Sequence, residues 1–449
     1  MQTLQQPYLL NVYKQASLRN PGQEEFLQAI LEVLHSLEHT LDNYPELEQH
    51  AILERLIEPE RFLEFQVPWW DDNGKMQVNR GFRVQFSSAL GPYKGGIRFH
   101  PSVTSSVIKF LGFEQQLKNA LTGLPLGGGK GGADFDPKGK SDGEIRRFCQ
   151  SFMTELYRHI GQFTDIPAGD MGVAAREIGY MFGQYKRIQG NFEAGVFTGK
   201  SPENSGSLAR KEATGFGLVY ITEEMLKQLK GDSISGKKIA ISGSGSVAIY
   251  ALQKATELGA TVVTVSDSSG YVYDEKGIDL EVLKTLKEVE RGRLSEYPKR
   301  VSTATYVPNT AAVWTVPCHI ALPCATQNEI DQKAAKALVE NGTTVVCEGS
   351  NMSTTPEAVA IFQKAGVHYI PGKAANAGGV AVSGLEMSQN SLRYSWTFAE
   401  VDEKLQAIMK DIYHRIYDAS KTAGDPGNFL LGANIAGLLK LANAMIWQG

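Results

Sequence analysis

A lysine set among five glycines is the most chemically suggestive feature of this 449-residue sequence. Residues 126–132 read Leu-Gly-Gly-Gly-Lys-Gly-Gly, with Lys130 inside the run. Glycine is costly to order during folding, so such a run indicates a backbone that must pack closely around a functional group. A phosphate-binding loop is the alternative, but it requires Gly-x-x-x-x-Gly-Lys-Ser/Thr, and here Gly131 follows the lysine. We expect a Gly-rich loop at 127–132 that presents Lys130.

Two nearby segments could bind carboxylates. In Gly-Pro-Tyr-Lys94-Gly-Gly, the flanking glycines are expected to expose Lys94 on a loop, where its cation can meet an anion. Gln115 and Lys118 lie three residues apart on a helix that we predict at 105–121, so they share a face. An amide donor beside an ammonium group suits a carboxylate. The alternative for each lysine is an ordinary surface charge.

Two further segments carry polar groups in unusual settings. Asp170 lies in Asp-Ile-Pro-Ala-Gly-Asp-Met-Gly, which predicts a loop framed by Pro and Gly. A turn-forming aspartate is the alternative there. Asn376 and Ser383 begin and end Asn-Ala-Gly-Gly-Val-Ala-Val-Ser, near a predicted helix start, where a helix cap is the alternative.

A dinucleotide-binding fingerprint occurs in the second half. A strand predicted at 238–242 runs into Gly243-Ser-Gly245-Ser-Val-Ala248, and a helix is predicted at 246–258. Gly243 would permit the tight turn, Gly245 would let the backbone approach a pyrophosphate, and Ala248 would let the helix pack closely. The helix N-terminus would then face the phosphates. The alternative is a Gly-rich turn in an unrelated α/β domain.

The end of the next predicted strand, 261–266, decides between NAD and NADP. Asp267 stands at the distance expected of an acid that binds the ribose hydroxyls, which would favour NAD. However, serines surround it, including Ser268, and leave room for a phosphate. Basic residues that could balance that phosphate follow: Lys287, Arg291 and Arg293. We expect NADP rather than NAD.

The surrounding pattern predicts two domains of α/β class. In the first half, a helix at 22–37 precedes two alternating segments, 63–67 and 76–86, joined by a turn and predicted to form a hairpin. In the second half, short apolar strands alternate with helices, which predicts a parallel sheet, with later strands at 319–322, 343–347 and 367–370. A Gly/Ser/Pro-rich hinge is predicted at 198–207, and the apolar helix at 427–449 could cap either domain.

Composition excludes several functional classes. The chain has 45 basic and 49 acidic residues, so it lacks the positive excess of a general nucleic-acid surface. No signal peptide is evident, and we find no apolar stretch long enough to span a bilayer, so a cytoplasmic location is expected. The four cysteines form no CxxC pair, which predicts buried thiols and no metal site.

Together the motifs resemble those of the hexameric glutamate dehydrogenases. The segments GPYKGGIRFHP, FEQQLKNALTGLPLGGGKGG and DIPAGDMG resemble the family's substrate domain, and ISGSGSVA, LPCATQNE, EGSNM and NAGGVAVSGLEMSQNS resemble the rest of its chain. The resemblance implies an N-terminal α/β substrate domain with a mixed sheet, over 1–200 and completed by a helix at 425–449. It also implies a Rossmann-like domain over 201–424, with the active site in the cleft between them, and a homohexamer.

The resemblance also implies roles for individual residues. Lys130 and Asp170 would be catalytic, and the carbonyl of Gly169 would face the substrate's amino group. Lys94 and Ser383 would hold the γ-carboxylate, and Gln115 and Lys118 the α-carboxylate. The implied cofactor-binding residues are Thr214, Gly243, Gly245, Ser246, Val247, Asp267, Ser268, Asn351 and Asn376. One departure is Ser246, where the family often has Asn.

The expected activity is therefore the interconversion of glutamate with 2-oxoglutarate and ammonia by hydride transfer with NADP, a reaction of ammonia assimilation. Burial and crowding by Lys118 should lower the pKa of Lys130. The alternatives are an NAD-dependent glutamate dehydrogenase and a branched-chain or aromatic amino-acid dehydrogenase. The latter would have no use for cations placed at a distal carboxylate. A catalytically silent nucleotide-binding regulator is a further alternative.

Overall fold

The protein divides into two compact units. The structure, a computed structural model, describes residues 4–449. The first unit runs to Leu208 and adds Val382–Val401 and Asn434–Gly449, and the second comprises Ala209–Ala381 and Asp402–Ala433. The sequence led us to expect a boundary near residue 200 and a C-terminal completion of the first domain, but not the return of residues 382–401 to the first unit. We propose that the two units are a substrate-binding and a dinucleotide-binding domain.

The first unit is built on a mixed five-stranded sheet. Its strands are β1 (Arg61–Trp70), β2 (Met76–Ser87), β3 (Tyr93–Phe99), β4 (Gly128–Ala133) and β5 (Asp165–Gly169), in the order β1-β2-β4-β3-β5. β1 and β2 form the predicted antiparallel hairpin, closed by a turn in which Asp71 accepts hydrogen bonds from the amides of Asn73 and Lys75. β4 pairs antiparallel with β2 and parallel with β3, and β3 pairs parallel with β5.

Three segments that we expected to be loops are strands. The Gly-rich run forms β4 in the middle of the sheet, Lys94 lies in β3 with 1% of its surface exposed, and Asp165–Gly169 forms β5. The expected exposure of Lys94 is therefore wrong. Local propensity disfavours glycine in strands, but here the missing side chains allow neighbouring strands to approach. A Cβ on Gly95, for example, would lie 1.6 Å from the carbonyl oxygen of Gly129.

Helices cover both faces of this sheet. They are α1 (Pro7–Arg19), α2 (Glu24–Leu37), α3 (Glu46–Gln49), α4 (Ile52–Ile57), α5 (Ser105–Thr122), α6 (Asp142–Leu156) and α7 (Ala175–Gln189). On one face Phe113 of α5 packs against Phe86 of β2, with ring centroids 5.9 Å apart. On the other face Phe148 of α6 packs against Phe99 of β3 at 5.0 Å. Because side chains alternate along a strand, Val84 and its partner Lys130 face α5 together.

The second unit contains a seven-stranded sheet. Its strands are β6 (Lys238–Ile241), β7 (Thr261–Asp267), β8 (Gly270–Tyr273), β9 (Thr305–Val307), β10 (Ile320–Leu322), β11 (Val345–Cys347) and β12 (His368–Ile370), in the order β12-β11-β10-β6-β7-β8-β9. The five strands from β12 to β7 are parallel, as predicted. The antiparallel edge strands β8 and β9 were not predicted.

The helices of the second unit follow the expected alternation. They are α8 (Ala213–Lys230), α9 (Ser246–Glu257), α10 (Leu280–Lys284), α11 (Gln332–Glu340), α12 (Pro356–Ala365) and α13 (Gly372–Ala375). The chain passes between the units within the last three helices, α14 (Gly378–Leu392), α15 (Phe398–Thr422) and α16 (Phe429–Gln448). Predicted strands at 319–322, 343–347 and 367–370 are confirmed to within two residues.

The last helix corrects one expectation. α16 is long and apolar enough, by length and composition, to cross a membrane, although we expected no such stretch. More than half of its apolar window is buried, and Ile435, Leu438 and Leu441 are at most 1% exposed. An apolar helix that packs into a protein core meets the same criterion, because it too is hydrophobic on most sides.

Candidate active site

Lys130 and Asp170 form an ion pair in the first unit. The Nζ atom of Lys130 lies 2.9 Å from Oδ2 of Asp170, and their side chains are 7% and 23% exposed. Lys130 projects from β4, and Asp170 directly follows β5, two strands away in the sheet. The glycine at position 96 in the intervening strand leaves the space between them, because a Cβ there would lie 2.8 Å from the Cβ of Asp170.

The surroundings shift both pKa values. Burial lowers the pKa of Lys130, and the cations of Arg98 and Arg83 lower it further, against the opposing effect of Asp170. Burial raises the pKa of Asp170, but Lys130 and Arg98 outweigh it and hold that pKa well below its usual range. The expected crowding of Lys130 by Lys118 stays a prediction. The chief cationic contributions come from two arginines held in the sheet.

Arg98 is a residue of this site that the sequence analysis missed. Its Nε donates to Oδ2 of Asp170 at 2.9 Å, so the same carboxylate oxygen accepts from Arg98 and from Lys130. The signal was present in the sequence, because Lys94, Gly96 and Arg98 alternate along one strand and therefore share a face. It was missed because we expected this segment to be a loop.

Lys94 and Gln115 are brought together through an asparagine. Lys94 Nζ donates to the carbonyl oxygen of Ile166 at 3.0 Å, and its own carbonyl accepts from Asn119 Nδ2 at 3.0 Å. Gln115 Nε2 donates to Oδ1 of Asn119 at 2.7 Å. Asn119 is buried and was also missed; its position one turn after Gln115 on α5 was the available signal. These contacts connect the backbone of Lys94 to the side chain of Gln115 through Asn119.

The remaining first-unit candidates lie on neighbouring elements. Lys118 is half-buried on α5, one turn from Gln115, as the predicted helix required. Gly169 ends β5 opposite Ile97, and its carbonyl oxygen would lie 2.8 Å from a Cβ at Gly96. Ser383 is buried in α14. The next residue of that helix, Gly384, packs against Leu124, just before β4.

The fingerprint of the second unit has the expected geometry. Gly243 has φ +81°, and a Cβ there would lie 2.9 Å from the carbonyl oxygen of Cys324. Gly245 is the N-cap of α9, and a Cβ there would meet nothing within 4 Å. Ser246 is exposed, Val247 half-buried and Ala248 fully buried. The start of α9 is therefore open at Gly245 and Ser246, which suits a pyrophosphate group.

The carboxylate of Asp267 accepts hydrogen bonds from other residues of the protein. Oδ1 accepts from the amide and hydroxyl of Ser269 at 2.9 and 2.6 Å, and Oδ2 accepts from the amide of Leu294 at 3.0 Å. Burial raises its pKa, but these hydrogen bonds and the Lys287 cation lower it overall. Ser268 Oγ accepts from Nη1 of Arg293 at 2.9 Å. A serine, an arginine and a lysine thus surround the end of β7.

The other second-unit candidates also lie near one another. Asn376 Nδ2 donates to Oδ1 of Asn351 at 2.8 Å. The hydroxyl of Thr214 would lie 2.6 Å from a Cβ at Gly379, so α8 and α14 meet closely there. Glu348, which the sequence analysis did not single out, accepts from the amides of Thr354 and Gly372 at 2.7 and 2.8 Å. Burial raises the pKa of Glu348 to about 7.

The described residues contain no cluster of histidine, cysteine and acidic side chains able to hold a metal ion. The four cysteines are unpaired and buried.

Comparison with known proteins identifies the chain's relatives. A family model described as Glutamate/Leucine/Phenylalanine/Valine dehydrogenase matches residues 205–449, and the dimerisation-domain model of the same dehydrogenases matches residues 59–187. The NADP-specific glutamate dehydrogenase of Helicobacter pylori (strain ATCC 700392 / 26695) is 56% identical, over 98% of this chain and 100% of that protein. The Escherichia coli (strain K12) enzyme of the same name is 55% identical, over 96% of each chain.

Solved structures agree with this relationship. The crystal structure of Plasmodium falciparum glutamate dehydrogenase superposes with a TM-score of 0.95 at 52% identity, over 98% of this chain and 94% of that one. The two-domain α/β fold predicted from the sequence is confirmed. The chain belongs to the Glu/Leu/Phe/Val dehydrogenase family.

Proposed function

We propose that this protein is an NADP-dependent glutamate dehydrogenase, which converts glutamate, NADP⁺ and water to 2-oxoglutarate, ammonium, NADPH and a proton, and catalyses the reverse reaction. The observation that carries the proposal is the Lys130–Asp170 pair on the same sheet as buried Lys94. The near full-length similarity to NADP-specific glutamate dehydrogenases supports it.

The placement of cations supports a dicarboxylic substrate. Lys94 is 1% exposed, and its Nζ has a carbonyl oxygen as a partner. A buried ammonium group binds a carboxylate through strong charge-assisted hydrogen bonds, and the distal carboxylate of the substrate would be such a ligand. Lys94 and Ser383 are therefore assigned to the γ-carboxylate, and Gln115 and Lys118 to the α-carboxylate. Holding both ends of the substrate fixes its Cα and makes the reaction effectively unimolecular.

The dinucleotide is assigned to the second unit. Gly243, Gly245, Ser246 and Val247 form the turn and helix start for the pyrophosphate. The engagement of Asp267 within the protein leaves it less available to ribose hydroxyls, and Ser268 with its arginine partner suits a 2′-phosphate. This arrangement supports NADP over NAD. Thr214, Asn351 and Asn376 are assigned to the rest of the cofactor.

The chemistry at Cα is assigned to Lys130, Asp170 and Gly169. When bound, NADP⁺ supplies the acceptor for the hydride that leaves Cα. Lys130 binds and polarises the water that attacks the resulting substrate imine. Its lowered pKa makes proton release at neutral pH easier than for an exposed lysine. Asp170, held anionic by its two cations, takes up and returns protons at that carbon, and the carbonyl of Gly169 accepts from the substrate's amino group.

Steady-state kinetics test the proposal directly. The purified chain should oxidise glutamate with NADP at a kcat/KM at least tenfold above that with NAD, and should leave leucine, valine and phenylalanine essentially unused. Preference for an apolar amino acid would support the alternative function, that of a branched-chain or aromatic amino-acid dehydrogenase. A chain that bound NADP without turning over any amino acid would instead be a nucleotide-binding regulator.

We also propose that the protein is a cytoplasmic homohexamer, as the resemblance of its motifs to hexameric glutamate dehydrogenases implies. Light scattering of the purified protein should give six times the 49.1 kDa chain mass. A monomer that retains full activity would contradict this assignment.

A further inference from the structure

A third lysine of the first unit, Lys200, is buried as well, although it has no assigned part in the reaction. Lys200 Nζ donates to Oε1 of Glu386 at 2.7 Å, to Oδ1 of Asn390 at 2.8 Å and to the carbonyl oxygen of Phe197. The side chains of Lys200 and Glu386 are both 0% exposed. Three acceptors match the three N–H donors of an ammonium group, so the geometry of Lys200 is fully determined.

Two of the three acceptors lie on the helix that carries Ser383. Glu386 and Asn390 follow Ser383 on α14 by three and seven residues, so all three share one face of the helix. Asn390 also donates through Nδ2 to the carbonyl oxygen of Ser205 at 2.8 Å. The contacts of this face therefore set both the rotation and the axial position of α14 at Ser383.

Lys200 lies in a segment that is hydrogen-bonded to β5, the strand next to Lys94. The amide of Thr198 donates to the carbonyl oxygen of Pro167 in β5 at 3.1 Å. The amide of Gly199 donates to Oε2 of Glu386 at 2.9 Å. The residue before Pro167 is Ile166, whose carbonyl oxygen accepts from Nζ of Lys94 at 3.0 Å. These hydrogen bonds, with the short stretches of backbone between them, thus connect α14 through β5 to the side chain of Lys94.

Stability alone gives no reason to keep such a pair. Desolvating two charges costs about as much as their attraction returns, and apolar replacements of similar volume are often neutral or stabilising. Burial lowers the pKa of Lys200, which reflects that desolvation, while Glu386 opposes the shift. What a charged, fully hydrogen-bonded pair supplies beyond an apolar contact is a single defined geometry.

We propose that Lys200 and Glu386 are positioning residues that set the spacing between Ser383 and Lys94, and thereby make the site selective for substrates with a distal carboxylate. This inference rests on the proposed function, in which those two residues hold the γ-carboxylate. Neither positioning residue is assigned a contact with the substrate.

The test compares two substrates on each protein preparation. Glutamate carries the distal carboxylate, and norvaline is an unbranched amino acid that lacks it. The variants are Lys200→Met with Glu386→Leu as a double substitution, and Glu386→Gln alone. The double variant avoids leaving one charge buried without its partner, which is the change most damaging to folding. The ratio of kcat/KM values does not depend on how much of each preparation is folded.

We expect the glutamate-to-norvaline ratio to fall about tenfold or more in the double variant, chiefly through a higher KM for glutamate, because small displacements of binding groups are costly. The KM for NADP⁺ should not change. The matched control breaks an ion pair at the surface of the same unit, Arg147→Gln with Asp72→Asn, and should keep the wild-type ratio.

An unchanged ratio in both variants would overturn the proposal, whatever happens to stability or to kcat, because a purely structural pair would affect both substrates equally. The proposed function is judged separately, on the wild-type protein. If the unmodified chain does not prefer glutamate to norvaline, the assignment of Ser383 and Lys94 fails before any variant is considered.

Discussion

Replacing Gly96 with alanine tests whether the position of Asp170 controls turnover. Gly96 lies in β3, between the strand that carries Lys130 and the strand that precedes Asp170. A Cβ at Gly96 would lie 2.8 Å from the Cβ of Asp170 and 2.8 Å from the carbonyl oxygen of Gly169. The substitution adds one methyl group and changes no charge, so its effect on chemistry must act through displacement.

The magnitude follows from these distances. Carbon atoms in ordinary contact lie about 3.5–4.0 Å apart, so Asp170 must move away by about 0.7 Å or more. The 2.9 Å contact between Lys130 and Asp170 would then approach or exceed the limit of a hydrogen bond. Because a displacement of about 1 Å can cost 10²-fold in rate, we expect kcat to fall about 10-fold to 100-fold, or about 1.4–2.7 kcal/mol. Overpacking should also cost about 1–3 kcal/mol of stability.

The assay follows NADPH absorbance under saturating substrate, together with denaturant unfolding of each variant. The matched control is Gly183→Ala in α7, where an added Cβ meets nothing within 4 Å and φ is not positive. That change should leave kcat unaltered and stabilise the protein by about 0.5–1 kcal/mol, as alanine does in a helix. A folded Gly96→Ala protein with wild-type kcat would refute the reasoning, because Asp170 would then not need its observed position.

Three further predictions concern charge. Asp170→Asn should reduce kcat by about 10²–10⁴-fold while NADPH still binds, as seen by cofactor fluorescence, because it removes the proton carrier and the group that raises the pKa of Lys130; unchanged turnover would exclude that role. Arg293, which contacts Ser268 at the end of β7, would form an exposed ion pair with the 2′-phosphate worth about 1 kcal/mol at most. Arg293→Ala should therefore raise the KM for NADPH roughly fivefold and leave that for NADH unchanged, and an equal effect on both cofactors would contradict this role. Burial raises the pKa of Glu348 from 4.5 to about 7 in the folded protein, so the unfolded chain loses this proton at lower pH than the folded chain does. The free energy of unfolding should therefore fall as pH rises between those values, by up to about 3 kcal/mol. Glu348→Gln should remove that pH dependence in urea unfolding, and a stability difference from wild type that stays constant with pH would disprove the linkage.

Strong local patterns predicted most of the elements correctly. The hairpin of β1 and β2 followed from alternating residues around a turn, and the strand–turn–helix at Gly243 followed from the fingerprint. The helix that carries Gln115 and Lys118 was found within one residue of its end. These signals are local, because each depends on spacing within one turn or one strand.

The loops expected around Lys94, Lys130 and Asp170 were wrong for a shared reason. Glycine has low strand propensity, so the propensities of residues 127–132 alone predict a loop. Pairing of β4 with strands on both sides overrides that preference, because the absent side chains allow close approach. The same error hid Arg98, whose role depends on the alternation of a strand.

The sequence by itself determined the family, the α/β class and the residue types that carry the proposed chemistry, because long motifs and periodic spacing can be recognised in the sequence alone. Only the tertiary structure showed that Arg98 shares a carboxylate oxygen with Lys130, that Asn119 joins Gln115 to Lys94, and that Asp267 is engaged within the protein. Such contacts join residues far apart in the chain, and the packing of strands and helices decides which of them meet. Electrostatics follow the same rule, because burial and neighbouring charge, which set a pKa, exist only in the folded chain.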